Sequence, residues 1–95
     1  GPESIEVDTI DNILMGLGRT VSIIKLDING AEYRALQGAR QTIQRDRPRI
    51  ITRLHTKEDY YRIPLLLKSF SPSMKLYLRQ RNYMSMMVVL YGLPS

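Results

Sequence analysis

One stretch, residues 21–32, constrains the fold more than any other part of the chain. It reads Val-Ser-Ile-Ile-Lys-Leu-Asp-Ile-Asn-Gly-Ala-Glu, and its first part is rich in the aliphatic side chains of a strand buried on both faces. Asn29 and Gly30 then suit a helix cap and a turn, and the two residues after them favour helix. The stretch therefore predicts a strand that runs directly into a helix. Asp27 lies at the carboxyl end of that strand, where open α/β sheets bind ligands.

Composition excludes several classes of protein and of site. The chain has 95 residues, of which 43% are hydrophobic, so it is a single small globular domain by size and composition. It has no apolar run long enough to span a membrane and no visible signal peptide, and we expect a cytoplasmic protein. Cysteine is absent and His55 is the single histidine, so disulfides, thiol catalysis and multi-histidine metal sites are excluded, and no metal site is predicted. Gly1-Pro2 is typical of the remnant left by tag cleavage, and the fold argument excludes it.

The net charge of +5 leaves one alternative open. The basic residues are scattered, with small clusters at residues 45–49 and 79–81. Such a surface attracts nucleic acid or other anions in some proteins. No nucleic-acid-binding motif accompanies the charge, so a solvated basic surface is the favoured interpretation.

Helices are predicted from the spacing of apolar residues. The first is capped by Thr9 or Asp8 and ends at a pair of glycines, and the second covers residues 31–45. The third follows a variant of the capping box formed by Thr56 and Asp59. Its proline either starts the helix anew or kinks it. The predicted buried stripe of this helix consists of Tyr60, Ile63, Leu66, Leu67 and Phe70.

Strands alternate with these helices, which implies an α/β fold with a parallel sheet. Asn82 tolerates the left-handed backbone of a tight reversal, so the last two strands are expected to form an antiparallel C-terminal hairpin around it. The predicted strands lie at residues 5–7, 21–28, 49–54, 75–81 and 84–93.

A motif after the central strand carries a resemblance to a known family. It consists of Lys25, Asp27, Gly30, Ala31, Glu32, Leu36, Gly38 and Ala39. This set resembles the pattern K-x-D-x-E-G-A-E followed by L-x-G-A, which FkbM-family methyltransferases carry after their fourth strand. Pro48 before a strand and the segments 55–69, 75–79 and 89–91 fit the family as well, so the resemblance covers nearly the whole chain after Val7. It implies the C-terminal half of a Rossmann-like methyltransferase sheet, in which a hairpin inserts an antiparallel strand.

The resemblance also implies a function. The family transfers a methyl group from S-adenosylmethionine, typically to a hydroxyl oxygen of a natural product, another small molecule or a sugar. Asn29 replaces the family's first glutamate, which removes one carboxylate from the site. The glycine-rich turn and the acidic residue that hold the cofactor in the family's N-terminal half are not found here. We therefore expect a fragment without the main cofactor-binding half, which by itself binds S-adenosylmethionine weakly or not at all.

Several residues are candidates for the site. Asp27 is expected to contact the cofactor and to act on the acceptor hydroxyl, and its alternative role is to accept hydrogen bonds from the following turn. Lys25 is either a catalytic residue that contacts the acceptor or a salt-bridge partner of Asp27. Asn29 is expected at the cofactor as well as in the helix cap, whereas capping is favoured over catalysis for Glu32. His55 follows the next strand and is a candidate general base, although a lone histidine is more often structural.

Two further functional classes remain open beside the enzyme. One is a non-catalytic α/β module that serves association, and the other is a basic nucleic-acid-binding domain. If the N-terminal half of the sheet is missing, the strand at residues 21–28 has an unpaired edge. Such an edge recruits other strands, so we expect a homodimer through it, unless residues 5–7 fold back and cover it.

Overall fold

The structure is a computed structural model that describes residues 9–18, 20–82 and 87–94. Helices and strands alternate along the chain, as predicted, and the strand expected at residues 5–7 lies outside the described ranges. None of the described helices is both long enough and apolar enough to cross a membrane. In chain order the elements are α1 (Ile10–Leu17), β1 (Ile23–Leu26), α2 (Glu32–Gln37), α3 (Arg40–Asp46), β2 (Arg49–Leu54), α4 (Asp59–Phe70), β3 (Lys75–Asn82) and β4 (Met87–Leu93).

The four described strands form one mixed sheet in the order β1-β2-β4-β3. β1 and β2 are parallel, and β4 lies antiparallel between β2 and β3. The predicted α/β class and the inserted C-terminal hairpin strand are therefore confirmed. The reversal predicted at Asn82 is wrong, because Asn82 belongs to β3 and pairs with Met87. The connection between these two residues lies outside the described ranges.

The core lies between one face of the sheet and the helices α2, α3 and α4. β1 contributes Ile24 to this face, and Ile24 is 7% exposed, whereas its neighbour Ile23 points to the opposite face and is 51% exposed. The prediction that this strand is buried on both faces is wrong for the described chain, because the helices that supply the core all pack on one side. The buried hydrophobic cluster consists of Ile24, Leu36, Ala39, Ile43, Ile50, Leu54, Ile63, Leu67, Met74 and Leu90.

Helix α4 differs from its predicted buried stripe at one position. Ile63 and Leu67 are fully buried, as predicted, but Tyr60 is 44% exposed. The buried side chain of the first turn is Asp59 instead, which lies one turn before Ile63 on the inward face. The helix runs continuously through Pro64, and does not begin anew there.

The single helix predicted at residues 31–45 is in fact two helices, separated at Gly38 and Ala39. The break occurs where the beginning of α1 approaches. A Cβ atom on Gly38 would lie 3.0 Å from the Cβ of Thr9, closer than side chains normally pack. The carbonyl of Gly38 also accepts a hydrogen bond from the backbone N–H of Asp11 at 2.8 Å. Local propensity favours a continuous helix, but these tertiary contacts interrupt it.

Asp11 caps the second of these helices from across the fold. Its carboxylate accepts the backbone N–H groups of Gln41 at 2.9 Å and Thr42 at 2.8 Å, and the hydroxyl of Thr42 at 2.7 Å. These N–H groups belong to the first turn of α3, where a helix has no partners of its own. Burial alone raises the pKa of Asp11, but the hydrogen bonds outweigh burial and lower it below the usual value.

Replacing Asp11 with alanine is expected to lower the free energy of unfolding by about 1–2 kcal/mol, because the first turn of α3 loses its capping acceptor. Urea unfolding measures the difference. Gln41→Ala is the matched control, since it removes an exposed side chain and keeps the capped N–H, and we expect a change of less than about 0.5 kcal/mol. Equal stability of Asp11→Ala and the wild type would contradict the capping role.

The outer edge of β1 remains a predicted dimer contact. β1 pairs with β2 on one side, and no described strand pairs with its other side. Size exclusion with light scattering is expected to show a dimer, with amides of residues 21–28 protected from exchange. A monomer at high micromolar concentration would rule out this association.

Candidate functional site

The turn between β1 and α2 has an unusual backbone. Asn29 and Gly30 follow each other with φ angles of 51° and 97°, both in the left-handed region. Asn and Gly are the residues that adopt this region most readily, so the sequence suits a sharp strand-to-helix turn. The helix cap predicted for Asn29 is wrong, because the residue before α2 is Ala31 and no side chain caps it. Asn29 instead forms the exposed corner of the turn.

The buried side chain of Glu32 accepts hydrogen bonds from the backbone of this turn. Its side chain has no exposed surface, and its Oε2 atom accepts the backbone N–H of Ile28 at 2.7 Å. Its Oε1 atom accepts the N–H of Gly30 at 3.0 Å. The predicted role of Glu32, to accept backbone donors, is therefore correct in kind. The donors, however, belong to the turn before α2 and not to the helix itself.

His55 meets the same carboxylate from the neighbouring strand. β1 and β2 are parallel, so their carboxyl ends lie at one edge of the sheet, and His55 directly follows β2. Its Nε2 atom lies 3.0 Å from Oε2 of Glu32. Because Glu32 already accepts two N–H groups, we assign the histidine hydrogen to Nε2. The sequence predicted that His55 lies at this edge of the sheet. It did not predict the contact between His55 and Glu32, because that contact depends on the register of β1 and β2.

Asp27 lies close to Glu32 and His55 at the start of this turn and is paired with Arg53. The Oδ1 atom of Asp27 is 3.2 Å from Nη1 of Arg53, and the Asp27 side chain is 54% exposed. Lys25 is exposed and lines a surface pocket together with Asp27 and Arg53. No ion pair joins Lys25 and Asp27 in the described part of the chain. Arg53 was missed by the sequence analysis. It lies two residues beyond Ile51, the partner of Lys25 in the parallel register, and no local sequence pattern reveals that register.

Asp59 fixes the backbone of His55. Its Oδ2 atom accepts the N–H of His55 at 3.0 Å and that of Thr56 at 3.2 Å, while the Thr56 hydroxyl accepts the N–H of Asp59 at 3.2 Å. The reciprocal hydrogen bonds predicted for Thr56 and Asp59 are therefore confirmed, but α4 begins at Asp59 itself, so Asp59 is not the third helical residue and the bonds close the turn before the helix. Oδ1 receives the guanidinium of Arg62 at 2.9 Å and 2.8 Å. Burial raises the pKa of Asp59, but the N–H of His55 and the Arg62 guanidinium outweigh it, and the pKa is lowered.

Three side chains of the site offer ligand atoms within reach of one cation. Asp27, Glu32 and His55 each provide one such atom, and the three atoms lie within 4.8 Å of one another. Two carboxylates and an imidazole suit a divalent transition metal. In this arrangement, however, Glu32 and His55 share a hydrogen bond and Asp27 is paired with Arg53. The contacts favour a hydrogen-bonded site, in which a cation would have to replace these partners.

A sequence comparison identifies the family. The model of the family described as "Methyltransferase FkbM domain" matches residues 1–84. The chain belongs to the FkbM methyltransferase family. The resemblance seen in the motif that begins in β1 and continues into α2 is thereby confirmed.

A structural comparison agrees with the FkbM assignment. The chain is similar to the crystal structure of Methyltransferase FkbM from Methylobacillus flagellatus KT, with 28% sequence identity and a TM-score of 0.73. The match covers 78% of this chain and 20% of that chain, so the present sequence spans about a fifth of the matched protein. No curated protein matches the sequence.

Asp59→Asn is expected to lower the free energy of unfolding at neutral pH by about 1–3 kcal/mol, because it weakens buried hydrogen bonds to His55 and Arg62. The pKa of Asp59 is lower in the folded chain than its ordinary value of 3.8. The stabilisation is therefore complete well above pH 3.8 and is lost as the pH falls below it. Urea titrations over the acidic range measure this effect.

The difference between the wild type and Asp59→Asn should accordingly shrink as the pH falls. Glu58→Gln is the control, because Glu58 is the exposed neighbour of Asp59. A constant difference between wild type and Asp59→Asn at every pH would contradict the role of the ionised carboxylate.

Proposed function

We propose that this chain forms part of the site of an S-adenosylmethionine-dependent methyltransferase that acts on a hydroxyl oxygen of a small molecule or sugar. His55 is the general base in this proposal. One observation carries it: the buried carboxylate of Glu32 connects the turn after β1 to the ring of His55 at 3.0 Å. Membership of the FkbM family supports the transfer of a methyl group.

Glu32 prepares His55 to accept a proton. With the hydrogen on Nε2 directed at the carboxylate, the lone pair of Nδ1 is free, and no described residue occupies it. Nδ1 would accept the proton of the acceptor hydroxyl as its oxygen takes the methyl group, while the bond from that carbon to the sulfonium sulfur breaks and leaves its electron pair on sulfur. Glu32 stabilises the charged imidazole that results, as the carboxylate of a Ser-His-Asp triad does. Glu32 is thus a positioning residue, and general base catalysis of this kind contributes about 10²–10⁴-fold.

The exposed residues at the end of β1 fit the cofactor. When bound, S-adenosylmethionine supplies a methyl group carried on a positively charged sulfur. Asp27 presents a half-exposed carboxylate beside the strand end, and only its Oδ1 atom is paired with Arg53. A carboxylate at this position attracts a cation, and the exposed amide of Asn29 offers hydrogen bonds to polar groups. Asp27 and Asn29 are the residues of this chain that would hold the cofactor, and Lys25 would contact the acceptor from the same face.

Replacing His55 with phenylalanine in the full-length gene product is expected to reduce kcat about 10²–10⁴-fold, because the acceptor oxygen loses its proton acceptor. The substitution also removes one of the three donors to the buried Glu32 carboxylate, so the urea midpoint should fall as well, and turnover is compared under conditions in which the variant is folded. Asp27→Asn is expected to reduce turnover more than stability, since Asp27 is half exposed. Methyl transfer from labelled S-adenosylmethionine to hydroxylated acceptors is the measurement.

The matched control is Lys57→Gln, an exposed substitution in the same loop as His55. It should leave kcat within a factor of about two, as expected for a surface position away from the site. If His55→Phe retained half of the wild-type turnover, His55 would not be the base. A non-catalytic association module would be indicated if no acceptor hydroxyl were methylated by the wild type.

A further inference from the structure

A second cavity lies beside the candidate site, between α2 and α4. Its volume is about 540 Å³, and the turn at residues 29–31 forms one of its walls. Tyr33, Arg34 and Gln37 line it from α2, and Arg62 lines it from α4. The volume lies within the usual range of small-molecule sites, and it is large enough for a sugar. Apart from Asn29, which is assigned to the cofactor above, the proposed mechanism uses none of the residues that line this cavity.

The lining of the cavity is positively charged. Both Arg34 and Arg62 contribute to it, and none of its lining residues is acidic. Arg34 is exposed on α2, and no hydrogen bond or ion pair joins its side chain to another described residue. Its charge is therefore not neutralised by a partner within the described chain. A guanidinium of this kind recognises carboxylate or phosphate groups through paired hydrogen bonds.

Arg62 is fixed in position before any ligand arrives. Nε and Nη2 bind the carboxylate of Asp59, and the guanidinium lies 4.3 Å from the centre of the Tyr33 ring. These contacts leave Nη1 without a partner among the described residues. A guanidinium held on two sides loses little conformational entropy when it binds a further group. Arg34 thus supplies the unneutralised charge and Arg62 a preorganised donor.

We propose that this cavity binds a carboxylate or phosphate group of the methyl acceptor, and that the acceptor is therefore an anionic, sugar-sized molecule. The inference rests on the proposed function, because it assigns the substrate class of the same site. Asp59 connects the cavity to the candidate site. One of its oxygens holds Arg62 at the cavity, and the other holds the backbone of His55. The cavity also shares the turn after β1 with the candidate site, so the same turn and the same carboxylate position both.

The test is a titration of the isotope-labelled full-length gene product with glucuronate and glucose 6-phosphate, followed by NMR. At least one of these anionic sugars is expected to shift the amide signals of residues 29–34, whereas neutral glucose shifts none of them. Arg34→Gln is expected to weaken the binding of the anionic sugar about tenfold. Arg40→Gln is the matched control, an exposed arginine on α3 that does not line the cavity, and it should bind as the wild type does.

The NMR titration measures binding and requires no methyl transfer, so a negative result would count against this inference without counting against the proposed function. His55→Phe should lose turnover but keep the binding of the anionic sugar. The inference is overturned if neither anionic sugar shifts the cavity signals, if glucose shifts them equally, or if Arg34→Gln and Arg40→Gln bind alike. It is also overturned if Arg34→Gln weakens the binding of S-adenosylhomocysteine and leaves the binding of the sugars unchanged, because the cavity would then hold the cofactor's carboxylate.

Discussion

The buried carboxylate of Glu32 is the interaction on which the rest of the site depends. A charged group removed from water is costly unless hydrogen bonds satisfy it, and here the N–H groups of Ile28 and Gly30 and the ring of His55 do so. These donors come from the turn after β1 and from the residue that directly follows β2. Their common acceptor therefore fixes the turn, the start of α2 and the histidine relative to one another.

Carboxylates also accept backbone N–H groups at other points where helices and strands begin or end. Asp59 holds the junction after β2, and Asp11 holds the first turn of α3. Asp46 accepts the N–H of Val21 at 2.9 Å, just before β1. The guanidinium of Arg45 and this N–H lower the pKa of Asp46 to about 2. Acidic side chains thus satisfy backbone donors where elements meet, and two of them, Asp46 and Asp59, also pair with an arginine.

The sequence predicted what local patterns determine. The structure confirms the bounds of β2, the reciprocal hydrogen bonds between Thr56 and Asp59, and the inserted antiparallel strand. These features follow from periodicity, capping chemistry and the family motif. The break at Gly38 could not be predicted, because it depends on the approach of α1 and not on helix propensity. The partners of the site, Glu32 with His55 and Asp27 with Arg53, depend on the register of two parallel strands. Local patterns identified the correct edge of the sheet but not the pairs within it.

The central claim is that Glu32 holds His55 in a single tautomer with Nδ1 free. His55 is the only histidine of the chain, so its two ring nitrogens can be assigned by ¹⁵N NMR without ambiguity. In the neutral ring, Nε2 should resonate as a nitrogen that carries hydrogen and Nδ1 as one that does not. Glu32→Gln should abolish this strict preference, because an amide oxygen cannot replace both carboxylate oxygens. A hydrogen on Nδ1 in the wild type, or the same tautomer populations in Glu32→Gln, would contradict the account.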